Sequence, residues 1–393
     1  MMNPTTMLHV TLHHMYRHTA LIALLVLPSL AFSGLVPRPP EVDAKSYLLM
    51  DATTGHIIVE HETDTRLPPA SLTKIMTDYI AAHEIGRGNL DPEETTRVSE
   101  RAWRMGGSRM FIQEGADVRI ADLIKGVIIS SGNDASVALA EHIAGSEDAF
   151  ADLMNQHADR LGLTNSNFTN STGWPDENQY TTARDMAILS RALIERYPEN
   201  YALYRERSFT YNDITQRNRN LLLWRDDTVD GIKTGHTQES GYSLVASAKR
   251  DGMRLISVVM GADSEQARAR ESHGLLNYGF RFFETYRAYD AGEQLTTLRV
   301  WMGAENEVNL GAAEDLVLTI PQNSHEQLEA EMSLDSRVRA PISAGDELGR
   351  VTIRLQDDVL LEKPLVALSD VERGGIFRRL WHGIRLFFEG LFS

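Results

Sequence analysis

The amino-acid sequence predicts an α+β fold: an antiparallel sheet covered by helices, then a small all-β domain and a C-terminal amphipathic helix. Two strand pairs joined by Gly turns, one near residue 55 and one near residue 252, bracket a long stretch of helical patterns. Short alternating apolar segments follow from residue 289. The chain has 393 residues, more than one hydrophobic core usually serves, so we expect two domains.

Composition is typical of a compact globular protein. Hydrophobic residues make up 42% of the chain and charged residues 24%. The formal net charge of -16 would repel a phosphate backbone, so we expect no nucleic-acid partner. The chain contains no cysteine, which excludes disulfides, thiolate nucleophiles and thiolate metal sites.

The N-terminal segment, residues 1–33, is predicted to be an export signal peptide. Arg17 precedes an apolar run from Thr19 to Phe32, and the small residues Ala31 and Ser33 suit cleavage by a signal peptidase. An uncleaved anchor helix is the alternative. The run is shorter than the roughly 20 residues that a bilayer span needs and contains a proline, which favours the cleaved signal.

The predicted main domain covers residues 36–288. A strand pair around Gly55 opens it, and a helix begins near Ser71 after two prolines. Further helical patterns occupy residues 120–129, 134–143, 149–161 and 182–196. Two strands joined by Asp251-Gly252 then predict an antiparallel hairpin, and a helical stretch ends near Tyr286.

Residues 289–370 are predicted to form the β-rich domain and residues 371–393 the amphipathic helix. One helix face carries the apolar residues Ile376, Phe377, Leu380, Trp381, Ile384, Phe387, Phe388 and Leu391, and the other carries Arg378, Arg379, His382 and Arg385. Four arginines against two glutamates from Val371 onward give a local charge of +2, which suits a helix lying on anionic lipid. A helix docked on its own domain is the alternative.

Ser71 and Lys74 form a candidate nucleophile and base. They lie three residues apart at a helix start, so their side chains project to the same side. A serine needs a base to remove its proton, and a lysine whose pKa is lowered by burial can be that base. An isolated S-x-x-K is more often a helix-start serine beside a solvated lysine, so the pair needs support from other residues.

Two further motifs supply that support. Ser131-Gly132-Asn133 lies in a break between helices, and Lys233-Thr234-Gly235 precedes the strand that begins near Tyr242, where an edge strand is expected. A hydroxyl flanked by lysines can relay a proton to a leaving amine, and a Lys/Thr pair can hold a carboxylate. S-x-x-K, S-x-N and K-T-G each occur once and in that order, which together predict peptide cleavage.

The three motifs resemble those of the serine penicillin-recognising enzymes, and the chain is most similar to low-molecular-mass D-alanyl-D-alanine carboxypeptidases. The resemblance is dense from Lys45 to Tyr286, in segments such as PPASLTKIMTDYI, GVIISSGNDASVALAEHIAGS and VDGIKTGHT. It implies a β-lactamase/transpeptidase-like catalytic domain. It also implies a peptidoglycan stem peptide ending in D-Ala-D-Ala as substrate, acylation by β-lactams, no cofactor and no metal.

The resemblance also implies a role for each site residue. Ser71 is acylated, Lys74 is its base, Ser131 passes the proton, and Lys233 supports Ser131 and the substrate. Substrate binding falls to the remaining residues, namely Asn133 and Arg219, with Thr234, Gly235 and the oxyanion-hole amide of His236. Ser136 stands where the family usually has a small residue, which can be cysteine. The expected location is the periplasmic side of the bacterial inner membrane, peripherally anchored through the C-terminal helix.

Three other functions are compatible with part of this pattern. A class A β-lactamase shares the motifs but adds a glutamate that activates water, and no E-x-x-L-N sequence lies between Asn133 and Lys233. An endopeptidase that cuts cross-links is hardly distinguished by sequence. A non-catalytic wall-binding scaffold would keep the fold without covalent labelling by penicillin.

Metal catalysis lacks support because none of the three His-Glu pairs has a second histidine four residues further along the chain, as a zinc-protease helix requires.

Overall fold

The computed structural model describes residues 36–391, so the predicted export signal lies outside the described residues. The strands are β1 (Ser46–Asp51), β2 (Ile57–His61), β3 (Thr95–Arg97), β4 (Asp117–Arg119), β5 (Ser208–Tyr211), β6 (Ile214–Arg217), β7 (Val229–Thr237), β8 (Gly241–Arg250), β9 (Met253–Ala262), β10 (Phe283–Tyr289), β11 (Gln294–Arg299), β12 (Glu307–Ala312), β13 (Leu316–Pro321), β14 (Leu328–Leu334), β15 (Glu347–Leu355) and β16 (Asp358–Ala367). The helices are α1 (Lys74–Gly86), α2 (Glu100–Arg104), α3 (Ile120–Lys125), α4 (Asn133–Ala144), α5 (Glu147–Leu161), α6 (Ala183–Arg196), α7 (Pro198–Tyr201), α8 (Glu265–Phe282) and α9 (Ile376–Leu391).

The sheet of the main domain is antiparallel and has the order β2-β1-β9-β8-β7, with β7 at an edge. Successive residues of β1 point to opposite faces: Leu48 joins the core beneath the helical cluster, and Leu49 joins the core beneath α8. Because helices cover both faces, β8 and β9 are buried along most of their length. The predicted hairpins and edge strand are confirmed.

Side-chain caps mark the start of α2, α5, α6 and α8. Ser146 at the start of α5 accepts a hydrogen bond from the amide of Ala149 at 3.1 Å, and Thr182 at the start of α6 accepts one from the amide of Asp185 at 3.1 Å. The helix predicted at 120–129 is divided: α3 ends at Lys125 and one π-helical turn, Gly126–Ser130, leads to the Ser131 break.

The β-rich region contains a five-stranded antiparallel sheet of order β11-β12-β16-β15-β14 and a pair formed by β10 and β13. The prediction of a helix ending near Tyr286 is wrong: α8 ends at Phe282 and β10 follows directly. The physical reason is a long-range pairing, since Phe283 to Arg287 run antiparallel to β13 and form a two-stranded sheet with it. The predicted domain boundary at 288/289 falls inside β10 and stays a prediction.

The C-terminal helix α9 contacts the segment that follows β11. Arg378 donates to the carbonyl oxygen of Ala304 and to Asn306 Oδ1, both at 2.6 Å, and Nδ1 of buried His382 accepts from the amide of Met302 at 2.9 Å. The opposite side is open, with Phe377 89% exposed. Within residues 36–391, no helix combines the length and apolar character that crossing a bilayer requires.

Candidate active site

Ser71 lies in a 3-10 turn, Ala70–Thr73, that leads into α1, and Lys74 is the first residue of that helix. The Lys74 side chain is fully buried, and its Nζ lies 3.2 Å from Ser71 Oγ. The same amine donates to Asn133 Oδ1 at 2.7 Å and to the carbonyl oxygen of Thr172 at 2.6 Å. The predicted nucleophile and base are therefore in hydrogen-bond contact.

Burial, together with the positive charge of Arg219, lowers the pKa of Lys74 to about 7. The carboxylates of Asp134 and Glu147 act in the opposite direction. Near neutral pH a substantial fraction of this amine is therefore uncharged. An uncharged amine has a lone pair with which it can take the proton of Ser71.

Ser131 and Lys233 form the second pair. Ser131 follows the π-helical turn and has a left-handed backbone (φ 57°), an uncommon conformation for a residue with a side chain. Lys233 reaches it from β7 and donates from Nζ to Ser131 Oγ at 2.9 Å. Burial lowers the pKa of Lys233 well below its usual range, and the nearby charges of Lys74 and Arg219 act in the same direction.

Asn133 connects Lys74 to the loop that contains Gly106. Besides accepting from Lys74, its amide donates from Nδ2 to the carbonyl oxygen of Gly106 at 2.8 Å. Ser136, one turn later on α4, donates to the carbonyl oxygen of Gly132 at 2.9 Å. The amide of Asn133 is thus fixed in orientation before any ligand arrives.

Two glycines pack closely against the Ser71 turn. A Cβ on Gly235 of β7 would lie 2.9 Å from the carbonyl oxygen of Pro69, and a Cβ on Gly173 (φ +82°) would lie 1.7 Å from that of Ala70. The absence of side chains therefore permits both close approaches. Buried Arg268 also donates to the carbonyl oxygen of Gly235 at 3.0 Å, which secures β7 beside the turn.

The other predicted binding residues lie around this centre but make fewer contacts. Thr234 is buried on β7, and exposed His236 stacks on Tyr242 with ring centroids 4.0 Å apart. Arg219 is exposed and has no hydrogen-bond partner among residues 36–391, although its charge acts on Lys74 and Lys233. The side chains of Arg219 and His236 are therefore open to solvent.

Two site residues were missed from the sequence. Buried Asp134 accepts hydrogen bonds from three successive backbone amides, those of Met110, Phe111 and Ile112, and so anchors the loop that contains Gly106. An acidic residue in the first turn of α4 was the available signal. Thr172 acts through its backbone carbonyl, which no side-chain pattern marks.

The arrangement suits acyl transfer. It places a hydroxyl beside an amine of lowered pKa, and a second hydroxyl beside a second such amine. The first pair can generate a nucleophile, and the second can move a proton to a leaving group.

Comparison with known proteins supports the same chemistry. The D-alanyl-D-alanine carboxypeptidase family matches residues 34–264, and the C-terminal domain of penicillin-binding protein 5 matches residues 283–373. D-alanyl-D-alanine carboxypeptidase DacC of Escherichia coli K12 is 44% identical over 362 residues, which cover 90% of each chain.

Solved structures of penicillin-binding proteins have a similar fold. Penicillin-binding protein 5 from Haemophilus influenzae has a TM-score of 0.83 and 42% identity, covering 86% of this chain and 100% of that one. Penicillin-binding protein D2 from Listeria monocytogenes in its ampicillin-bound form has a TM-score of 0.58 and 26% identity, covering 62% and 100%. These relationships confirm the transpeptidase-like domain and the all-β domain that follows it. The chain therefore belongs to the D-alanyl-D-alanine carboxypeptidase family of serine peptidases.

Proposed function

We propose that this chain removes the terminal D-alanine of peptidoglycan stem peptides through an acyl-enzyme on Ser71. The observation that carries the proposal is the 3.2 Å contact between Lys74 Nζ and Ser71 Oγ, together with a Lys74 pKa of about 7. A buried amine in hydrogen-bond contact with a hydroxyl is a competent general base at neutral pH.

The proposed reaction has two halves. Lys74 takes the Ser71 proton as Oγ attacks the carbonyl carbon of the penultimate D-alanine, and Ser131, supported by Lys233, passes a proton to the leaving amine of the terminal D-alanine. Water then attacks the ester on Ser71 and releases the shortened peptide. Backbone amides of Ser71 and His236 would stabilise the negative carbonyl oxygen, an effect worth about 100- to 1000-fold per donor.

Substrate binding is proposed to use the groups that border this centre. Arg219 is exposed, so its charge is available to the terminal carboxylate of the peptide, and Thr234 on β7 would bind the same group. The amide of Asn133, already fixed by Lys74 and Gly106, would orient the peptide backbone.

β-Lactams are the second proposed ligand. A β-lactam presents a strained amide beside a carboxylate, so it meets the same nucleophile and the same cationic groups as the peptide. The related Listeria protein has been solved with ampicillin bound. We therefore expect penicillins to acylate Ser71.

Labelling with a fluorescent penicillin, followed by peptide mapping, tests the assignment. We expect one labelled peptide, which contains Ser71, and release of free D-alanine when the same preparation is given a pentapeptide ending in D-Ala-D-Ala. Protein unfolded in denaturant serves as the control and should not be labelled. Labelling of another residue, or none in folded protein, would refute the mechanism.

The rate of acylation should depend on pH through Lys74. The reactive form is the uncharged amine, whose fraction rises with pH, so the rate should increase through a midpoint near pH 7 and level off above it. Stopped-flow measurement with a chromogenic β-lactam between pH 5 and 9 would give the profile. A flat profile across that range would show that Lys74 is not the titrating base.

We also propose that the enzyme acts on the periplasmic side of the bacterial inner membrane and lies on its surface through α9. The support is the exposed apolar side of the helix, on which Phe377 is 89%, Ile376 79% and Trp381 62% exposed, next to a net positive segment. Arg378 and His382 fix the other side to the β-rich domain, so the apolar side is directed outward.

Truncation after Gly375 tests the membrane proposal. Val371 is buried and its amide bonds to the carbonyl oxygen of Ile342, so the cut is placed beyond it to keep the β-rich domain intact. The shortened protein should fail to sediment with vesicles of anionic lipid while its rate of penicillin labelling stays unchanged. Substitution of Phe377 and Trp381 by aspartate should have the same effect. Undiminished sedimentation of both variants would contradict an anchoring role for α9.

A further inference from the structure

Glu147 is a buried carboxylate that the proposed mechanism does not use. It is the first residue of α5, and only 5% of its side chain is exposed. Its Oε1 accepts hydrogen bonds from the amide of Ser171 at 3.2 Å and from the Ser171 hydroxyl at 2.8 Å, and its Oε2 accepts one from Arg101 Nη2 at 2.6 Å. A carboxylate is rarely buried without such partners.

The Ser171 segment leads directly to the catalytic amine. The carbonyl oxygen of Thr172, the next residue, accepts the shortest hydrogen bond of Lys74, at 2.6 Å. Thr77, one turn after Lys74 on α1, donates to the carbonyl oxygen of Ser171 at 2.6 Å. The segment is therefore fixed to α1 on one side and to Glu147 on the other.

Glu147 also acts on Lys74 through its charge. The carboxylate favours the protonated amine and so raises the pKa of Lys74 against the effect of burial. Arg101 neutralises the carboxylate only from the solvent side, since 52% of its side chain is exposed. The interior side of the carboxylate is bonded to neutral groups alone, those of Ser171.

We propose that Glu147 is a positioning residue for the acyl-transfer centre: its carboxylate holds Ser171 so that the Thr172 carbonyl keeps the Lys74 amine against Ser71, and it places a negative charge near that amine. This inference rests on the proposed role of Lys74 as the base. Glu147 itself touches neither Ser71 nor the substrate groups named above.

Glu147→Gln tests the inference, because it keeps the size and one acceptor oxygen for Ser171. It removes the charge and replaces the oxygen that accepts from Arg101 by an amide NH2 group. Asp148→Asn is the matched control: Asp148 is the next residue, approaches the same Arg101 at 3.8 Å, and has 88% of its side chain exposed. Rates of acylation by a chromogenic β-lactam are measured against pH for both variants, and thermal unfolding is measured in parallel.

For Glu147→Gln we expect the pH midpoint of acylation to move to a lower value, since the charge that favours the protonated amine is gone. The plateau rate should fall about tenfold, because small displacements of a catalytic group are costly. Asp148→Asn should leave both quantities at the wild-type values. A purely structural role predicts lowered thermal stability with an unmoved midpoint, and that result would overturn the inference.

Ser171→Ala distinguishes the effect of positioning from the effect of the Glu147 charge. It is also the test to use if Glu147→Gln does not fold. It removes one hydrogen bond of the carboxylate but keeps the charge, so the plateau rate should fall while the midpoint stays at the wild-type pH. An unchanged plateau would overturn the positioning role. If wild-type protein is not acylated at all, the proposed function has failed, and this outcome is distinct from a failure of the Glu147 inference alone.

Discussion

Replacement of Ser71 by alanine is expected to abolish covalent labelling by penicillin and to lower the rate of D-alanine release by about 10⁵- to 10⁶-fold. The reason is that no other hydroxyl lies in hydrogen-bond contact with Lys74 among the described residues. The variant should fold normally, since Ser71 is only partly buried and loses a single small polar group. In-gel fluorescence with a labelled penicillin measures the first effect, and detection of free D-alanine the second.

The control for Ser71→Ala is Ser190→Ala. The Ser190 hydroxyl is buried in α6 and has no hydrogen-bond partner within residues 36–391, so its loss should affect neither labelling nor D-alanine release. A folded Ser71→Ala protein that still becomes labelled would eliminate Ser71 as the acylated residue. Equal loss of activity in both variants would point to a general loss of structure.

Replacement of Lys74 by methionine is expected to slow acylation about 10³- to 10⁴-fold while leaving Ser71 in place. Methionine has a similar length and is tolerated in irregular cores. It cannot accept the Ser71 proton, and it leaves the Thr172 carbonyl and Asn133 Oδ1 without their donor. Each unsatisfied acceptor should cost about 1–3 kcal/mol of unfolding free energy.

Two measurements check the lysine prediction. Single-turnover acylation should show the slow rate without the pH midpoint near 7, and thermal denaturation should show the lowered stability. Lys45→Met is the control, because Lys45 is exposed and its amine, within the part of the chain that the structure describes, bonds only to the carbonyl oxygen of Glu239, at 3.3 Å. If Lys74→Met is acylated at the wild-type rate, another group must act as the base.

Much of the catalytic centre follows from the sequence because its motifs are local. Ser71 and Lys74 share one turn of backbone, so their contact is set by helix geometry. That Ser131 and Lys233 meet is a property of the tertiary fold, since 102 residues separate them. The sequence predicted the contact between Ser131 and Lys233 only because its three motifs resemble those of the serine penicillin-recognising enzymes.

The features that escaped prediction depend on contacts between distant segments. The strand character of β10 comes from pairing with β13, more than 25 residues further along the chain, while its own sequence continues a helical pattern. Thr172 contributes a carbonyl oxygen, which every residue has. Glu147 looks like an ordinary acidic residue at a helix start until its burial against Ser171 is known.

The two glycines that pack closely against the Ser71 turn have an energetic consequence. Since Gly235 and Gly173 allow other backbone to pack closely against the turn, the backbone that carries the reactive hydroxyl has little conformational freedom left before a ligand binds. The entropy of ordering it is lost once, when the chain folds, and is not lost again at each turnover. Binding energy from a peptide can then serve to distort and activate its own amide bond.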